Sequence, residues 1–198
     1  IFKIERKKIM KKRLIPCIFL KNGMIVRSED FKIHQIIGNP INQVKRFSDW
    51  AVDEIIYIDI SESNKYDNRR DDHKIKTSNS KLDLLSEISK NIFVPLAFGG
   101  GIRTTDDIQR VLQMGADKVV LNSGMFFDDL LLTQAVEIFG SQALVACVDY
   151  KDNFVYFEHG RSKSKYTVDQ WCGILEKQGI GEILLNDISR DGKSTGYD

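Results

Sequence analysis

Two stretches of this chain recur at nearly the same interval. Cys17-Ile-Phe-Leu-Lys-Asn matches Cys147-Val-Asp-Tyr-Lys-Asp 130 residues later, and Glu54-Ile-Ile-Tyr-Ile-Asp-Ile-Ser matches Glu182-Ile-Leu-Leu-Asn-Asp-Ile-Ser 128 residues later. Self-similarity at one offset signals a fold built from two copies of a unit. Within each copy, short β-branched apolar runs alternate with longer amphipathic segments. The runs cover residues 14–20, 54–60, 94–98, 118–121, 143–148 and 182–185. Runs apolar throughout predict strands buried on both faces, hence a parallel sheet. The segments between them, 40–51, 80–90, 104–114, 127–138 and 167–178, predict helices; 40–51 starts at Asn39-Pro40, and 104–114 opens with Thr-Thr-Asp-Asp, a cap followed by acids in the first turn. A short extra strand is expected at 153–157, and the polar stretch 62–79 reads as a long loop.

Strand–helix alternation means an α/β architecture. Two copies of four strand–helix units make eight, and eight parallel strands close into a (β/α)8 TIM barrel of about 250 residues. The triple glycine at 99–101 has no counterpart one repeat later, because that position falls beyond Asp198. The expectation is therefore a barrel truncated after strand six, with 11–198 forming its first six units; a genuine smaller α/β fold is the alternative. Residues 1–10 read as a disordered basic tail. Basic residues before the apolar run Leu-Ile-Pro-Cys-Ile-Phe-Leu superficially resemble a signal peptide, but that run is only seven residues and ends at Lys21, so a cytoplasmic protein is expected. A net charge of +1 gives no global field for nucleic acid or a membrane. Three scattered cysteines and three histidines lack the spacing of a disulfide framework or a metal site, so no metal and no cofactor is expected.

Gly99-Gly100-Gly101, between a strand and a capped helix, lets backbone N–H groups approach an anion. Gly100 and Gly101, with Asn122 and Ser123 at the end of the next strand, are the candidate phosphate site. Asp149 ends strand five, where a carboxylate can act as acid or base. Its repeat partner is Phe19, which carries no proton. Asp59, Asp187 and Asp191 are secondary candidates. Arg13, Glu54, Lys118 and Glu182 stand at the opposite ends of their strands, two positive and two negative, and are expected to pair.

The motifs Arg13-Leu-Ile-Pro-Cys, Asp53-Glu-Ile-Ile-Tyr-Ile-Asp-Ile, Gly99-Gly-Gly-Ile-Arg, Gly115-Ala-Asp-Lys-Val, Phe139-Gly-Ser-Gln-Ala and Arg190-Asp-Gly-Lys-Ser-Thr-Gly-Tyr-Asp resemble the cyclase subunit of imidazole glycerol phosphate synthase. The resemblance implies a ribulose-phosphate-binding type of barrel. It also implies a heterodimer with a glutaminase docked at the N-terminal mouth, and ammonia passing through the barrel to a bis-phosphorylated substrate. By the same resemblance Arg13, Glu54, Lys118 and Glu182 form the ammonia gate and Asp117 belongs to the glutaminase interface. Gly100, Gly101, Asn122 and Ser123 form the first phosphate site, and Asp149 is one catalytic aspartate. The second aspartate would stand at Phe19. Gate kept and acid pair broken resembles the paralogous branch associated with amidation of surface-polysaccharide sugars. That branch is the expectation here, with the true cyclase and lyase of histidine biosynthesis, or an inactive scaffold, as alternatives.

Overall fold

The computed structural model describes residues 11–66 and 78–196. The expected tail and most of the expected loop at 62–79 lie outside the described residues. Six parallel strands form the frame: β1 (Cys17–Lys21), β4 (Ile55–Asp59), β5 (Leu96–Gly99), β6 (Lys118–Leu121), β7 (Leu144–Lys151) and β10 (Glu182–Asp187). They pair in chain order, β1 with β4, β4 with β5, β5 with β6, β6 with β7 and β7 with β10. This sequential parallel order is that of a (β/α) barrel wall.

The strands alternate faces, as their two-residue period requires. Ile55, Tyr57, Leu96, Phe98, Val119, Leu121, Leu144 and Ala146 belong to the large core. Against them pack the helices α1 (Pro40–Asp49), α2 (Lys81–Ser89), α3 (Thr105–Gln113), α5 (Leu131–Phe139) and α6 (Val168–Lys177). The intervening residues Ile56, Ala97, Val120, Val145 and Cys147, joined by Ile15, Ile58 and Leu184, form a second, smaller cluster on the inner face. The expected helix at 127–138 is divided into α4 (Gly124–Phe127) and α5, with the Asp128 carboxylate accepting from the Leu130 N–H. No described helix is long and apolar enough to cross a membrane.

The repeat reappears as structure. β1 runs into an antiparallel hairpin of β2 (Met24–Glu29) and β3 (Ile33–Gly38), and β7 runs into one of β8 (Phe154–Phe157) and β9 (Ser162–Thr167). Of these four strands only β8 is foreshadowed by its apolar run. Both hairpin tips use left-handed backbone at non-glycine residues: Asp30 and Phe31 in the first, Glu158 and His159 in the second. The tips meet, because a Cβ on Gly160 would stand 3.0 Å from the Phe31 ring. The first hairpin is also fastened to the segment after β10. Asp191 accepts from the Ser28 hydroxyl at 2.6 Å and the Phe31 N–H at 3.0 Å, and Lys193 pairs with Asp30 at 2.9 Å.

Candidate functional site

At the N-terminal ends of the strands the four expected charges form a closed ring. Arg13 lies 3.2 Å from Glu54 and 3.0 Å from Glu182, and Lys118 lies 2.8 Å from Glu54 and 2.9 Å from Glu182. Each acid therefore touches both bases. Desolvation pushes the Glu182 carboxyl up, but the hydrogen bonds and charges of Lys118 and Arg13 outweigh it and hold it below the ordinary value. Desolvation likewise opposes the charge on Lys118, yet its two carboxylate partners raise it. Glu54 is almost wholly buried. Its Oε2 takes both cations, while its Oε1 is buried without a hydrogen-bond partner. Buried acceptors are nearly always satisfied, so Oε1 is an acceptor for which the closed ring itself supplies no donor. Asp117 sits beside the ring but is already engaged, accepting from the Leu96 N–H at 2.8 Å.

At the other end of the strands lies a cavity of about 950 Å³, lined by Phe19, Asp149, Gly100, Gly101, Asn122 and Ser123 among others. Gly100 and Gly101 both have left-handed backbone, at φ 120 and 66. A Cβ on Gly100 would fall 2.1 Å from the Asp59 carbonyl oxygen, so only glycine fits. The adjoining helix α3 has a closed capping box between Thr104 and Asp107. Ser123 faces the same cavity, with its Oγ accepting from the Glu158 N–H at 2.9 Å and its hydroxyl hydrogen still able to donate.

Asn122 lines the same cavity and also engages Asp149. Its Nδ2 donates to Asp149 Oδ2 at 2.7 Å, while Asn186 Nδ2 donates to Asp149 Oδ1 at 2.9 Å. Asp149 is thus buried and clamped from both neighbouring strands. Desolvation raises its pKa above the ordinary carboxylate value, against the lowering effect of the Asn186, Asn122 and Cys147 hydrogen bonds. Phe19 lies on the inner face of β1, the face shared by its neighbours Cys17 and Lys21. The secondary candidates all have hydrogen-bond partners. Asp59 accepts from the Tyr66 hydroxyl at 2.6 Å and the Ser61 N–H at 2.8 Å, Asp187 accepts from the Ser189 N–H at 2.8 Å, and Asp191 holds the hairpin.

Asn186 is absent from the sequence expectation, although strand parity could have found it. Glu182, Leu184 and Asn186 share one face of β10, and Asp187 falls on the other. Among the described residues no group of histidine, cysteine and acidic side chains could hold a metal ion.

A family model described as "Histidine biosynthesis protein" matches residues 13–198. The chain is 36% identical over 195 residues to imidazole glycerol phosphate synthase subunit HisF of Hydrogenobaculum sp. (strain Y04AAS1), covering 96% of this chain and 73% of that protein. It is 36% identical over 195 residues to the protein of the same name from Gluconacetobacter diazotrophicus, at 96% and 71% coverage. A Pseudomonas aeruginosa protein provisionally named imidazole glycerol phosphate synthase subunit hisF2 is 32% identical over 195 residues, at 96% and 73% coverage.

Proposed function

The chain belongs to the histidine biosynthesis protein family, and from that membership we propose that it is a HisF-type subunit that receives ammonia from a glutaminase and delivers it along its inner face to a phosphorylated substrate. The observation that carries this reading is the charged ring with its orphaned Glu54 Oε1 at one mouth and the clamped Asp149 at the other. Between them the inner wall is apolar, with Ile56, Ala97, Val120 and Val145. Ammonia is small and neutral, so such a wall neither traps it nor protonates it. The ring can open for it only by parting ion pairs, and Glu54 Oε1 offers its N–H groups a first acceptor.

The glutaminase would dock around the ring. Leu14, Trp50, Phe93 and Ile138 are all strongly exposed, Phe93 at 89%, and each lies in a segment leading into the N-terminal end of a strand. An apolar surface around a charged centre fits a protein partner better than solvent. Phe93→Asp is expected to weaken glutaminase binding at least about tenfold, as loss of an aromatic anchor does. Titration calorimetry with the purified glutaminase would measure it; an unchanged Kd would remove Phe93 from the interface.

What receives the ammonia has two readings. The names of the relatives favour formation of imidazole glycerol phosphate, which displaces amidation of a surface-polysaccharide sugar from first place. Phe19 favours the second reading, a conduit serving a separate amidotransferase, because loss of a proton-transfer partner typically costs about 10²–10⁴ in rate. The test supplies the complex with glutamine and the ribulosyl phosphate substrate of histidine biosynthesis, following imidazole glycerol phosphate directly. Turnover within about a hundredfold of an authentic synthase supports the first reading. A stable glutaminase complex with no product supports the second, and no complex at all overturns both.

A further inference from the structure

Three basic side chains gather where the two hairpins roof the cavity, and neither the gate nor the Asp149 clamp uses them. Lys21 ends β1, His34 lies on β3, and His159 stands in the tip between β8 and β9; all three line the cavity. Lys21 Nζ lies 3.3 Å from His34 Nδ1. An ammonium has only hydrogens to offer, so Nδ1 must accept and His34 is the neutral Nε2–H tautomer. Among the described residues none of the three forms an ion pair. The nearby acids have other partners or are exposed: Asp191 holds Ser28 and Phe31, Glu158 accepts from the Ser162 hydroxyl at 2.6 Å, and Glu62, at the cavity edge, is exposed.

We propose that Lys21, His34 and His159 form an oxyanion subsite, separate from the glycine cradle, that takes a dianionic phosphoryl-type group. The Lys21 ammonium beside two imidazoles held neutral leaves the group short of its full positive charge, and a dianion set among them would both attract Lys21 and favour protonation of the two rings. The protonation states agree. Burial first, then Lys21 and His159, depress the His34 pKa against the pull of Asp191. Burial, Arg161 and Lys21 depress that of His159 against Glu62 and Glu158. An anion would reverse both shifts, so its binding should take up protons. The subsite stands whichever acceptor the ammonia reaches.

Sulfate is the probe, because its charge does not change between pH 6 and 8. Followed by NMR on the full chain, the ring resonances of His34 and His159 are expected to move with sulfate, with a Kd at least about threefold tighter at pH 6 than at pH 8, because two rings with depressed free-state pKa values take up protons on binding. His34→Gln and Lys21→Met should each abolish that response while the Gly100 and Gly101 amides still respond to sulfate. Ring resonances that ignore sulfate, a Kd independent of pH, or acetate binding as tightly as sulfate would each overturn the assignment. A response unchanged in both variants would place the anion elsewhere and overturn it equally.

Discussion

Asp149→Asn is expected to lower imidazole glycerol phosphate formation from free ammonia by about 10²–10⁴-fold, the range for loss of a positioned acid or base, with the fold intact. The substitution sets a new amide against two amides already pointing at the site. Asn122 can accommodate it, because its Oδ1 is buried without a partner and a flip of that side chain would present an acceptor to the new N–H. The pH dependence follows from the raised Asp149 pKa. Acting as a base, the wild-type group loses activity as pH falls through that raised value. For stability the sign is opposite: a carboxyl whose folded pKa lies above its unfolded one contributes most when protonated, and that contribution disappears as pH rises. The variant should therefore gain stability relative to wild type as pH increases. Steady-state kinetics and urea denaturation at several pH values measure both; a variant with wild-type turnover would exclude Asp149 from the chemistry. Under the conduit reading Asp149→Asn leaves ammonia delivery unchanged.

Glu54→Ala is expected to cost about 3 kcal/mol of folding stability, at the low end for breaking a buried pair. The low end applies because Arg13, unlike Lys118, is half exposed. Removing the acid leaves Arg13 and Lys118 sharing Glu182 alone. Urea denaturation reads the loss, and a change below about 1 kcal/mol would mean that the ring resembles an ordinary surface network. The Glu182 part of the ring should fade in acid, because its lowered pKa makes a contribution present above the unfolded pKa and lost as pH falls through the folded one. Glu54→Gln keeps an acceptor but no charge, so comparing the two variants separates the ion pairing from the orphaned Oε1. With the ring weakened, glutamine-dependent activity should fall relative to activity with added ammonia.

The barrel wall was legible because buried parallel strands are apolar on both faces, and their six runs stand out between amphipathic helices. The ring was legible from four charges at strand starts. The first hairpin was not. Met24–Glu29 and Ile33–Gly38 carry mixed patterns, and their turn at Asp30-Phe31 lacks the glycine that marks such turns; it is held by Asp191, 160 residues away. For the same reason Lys21, His34 and His159 look unrelated in sequence, since only the two hairpins bring them together. The bond from Asn122 to Asp149, one strand away, was not legible either, because a strand-end amide beside a glycine loop points to the phosphate and only the strand register adds the second partner.

Fastening the first hairpin through Asp191 also sets an order of assembly. The ribosome delivers Ser28 and Phe31 long before it delivers their acceptor, at about 5–20 residues per second. For some seconds the β2–β3 ribbon must wait without its anchor, its strained Asp30-Phe31 turn unsupported. The floor and walls of the cavity can consolidate during translation, but its roof is sealed only after the sixth parallel strand has emerged.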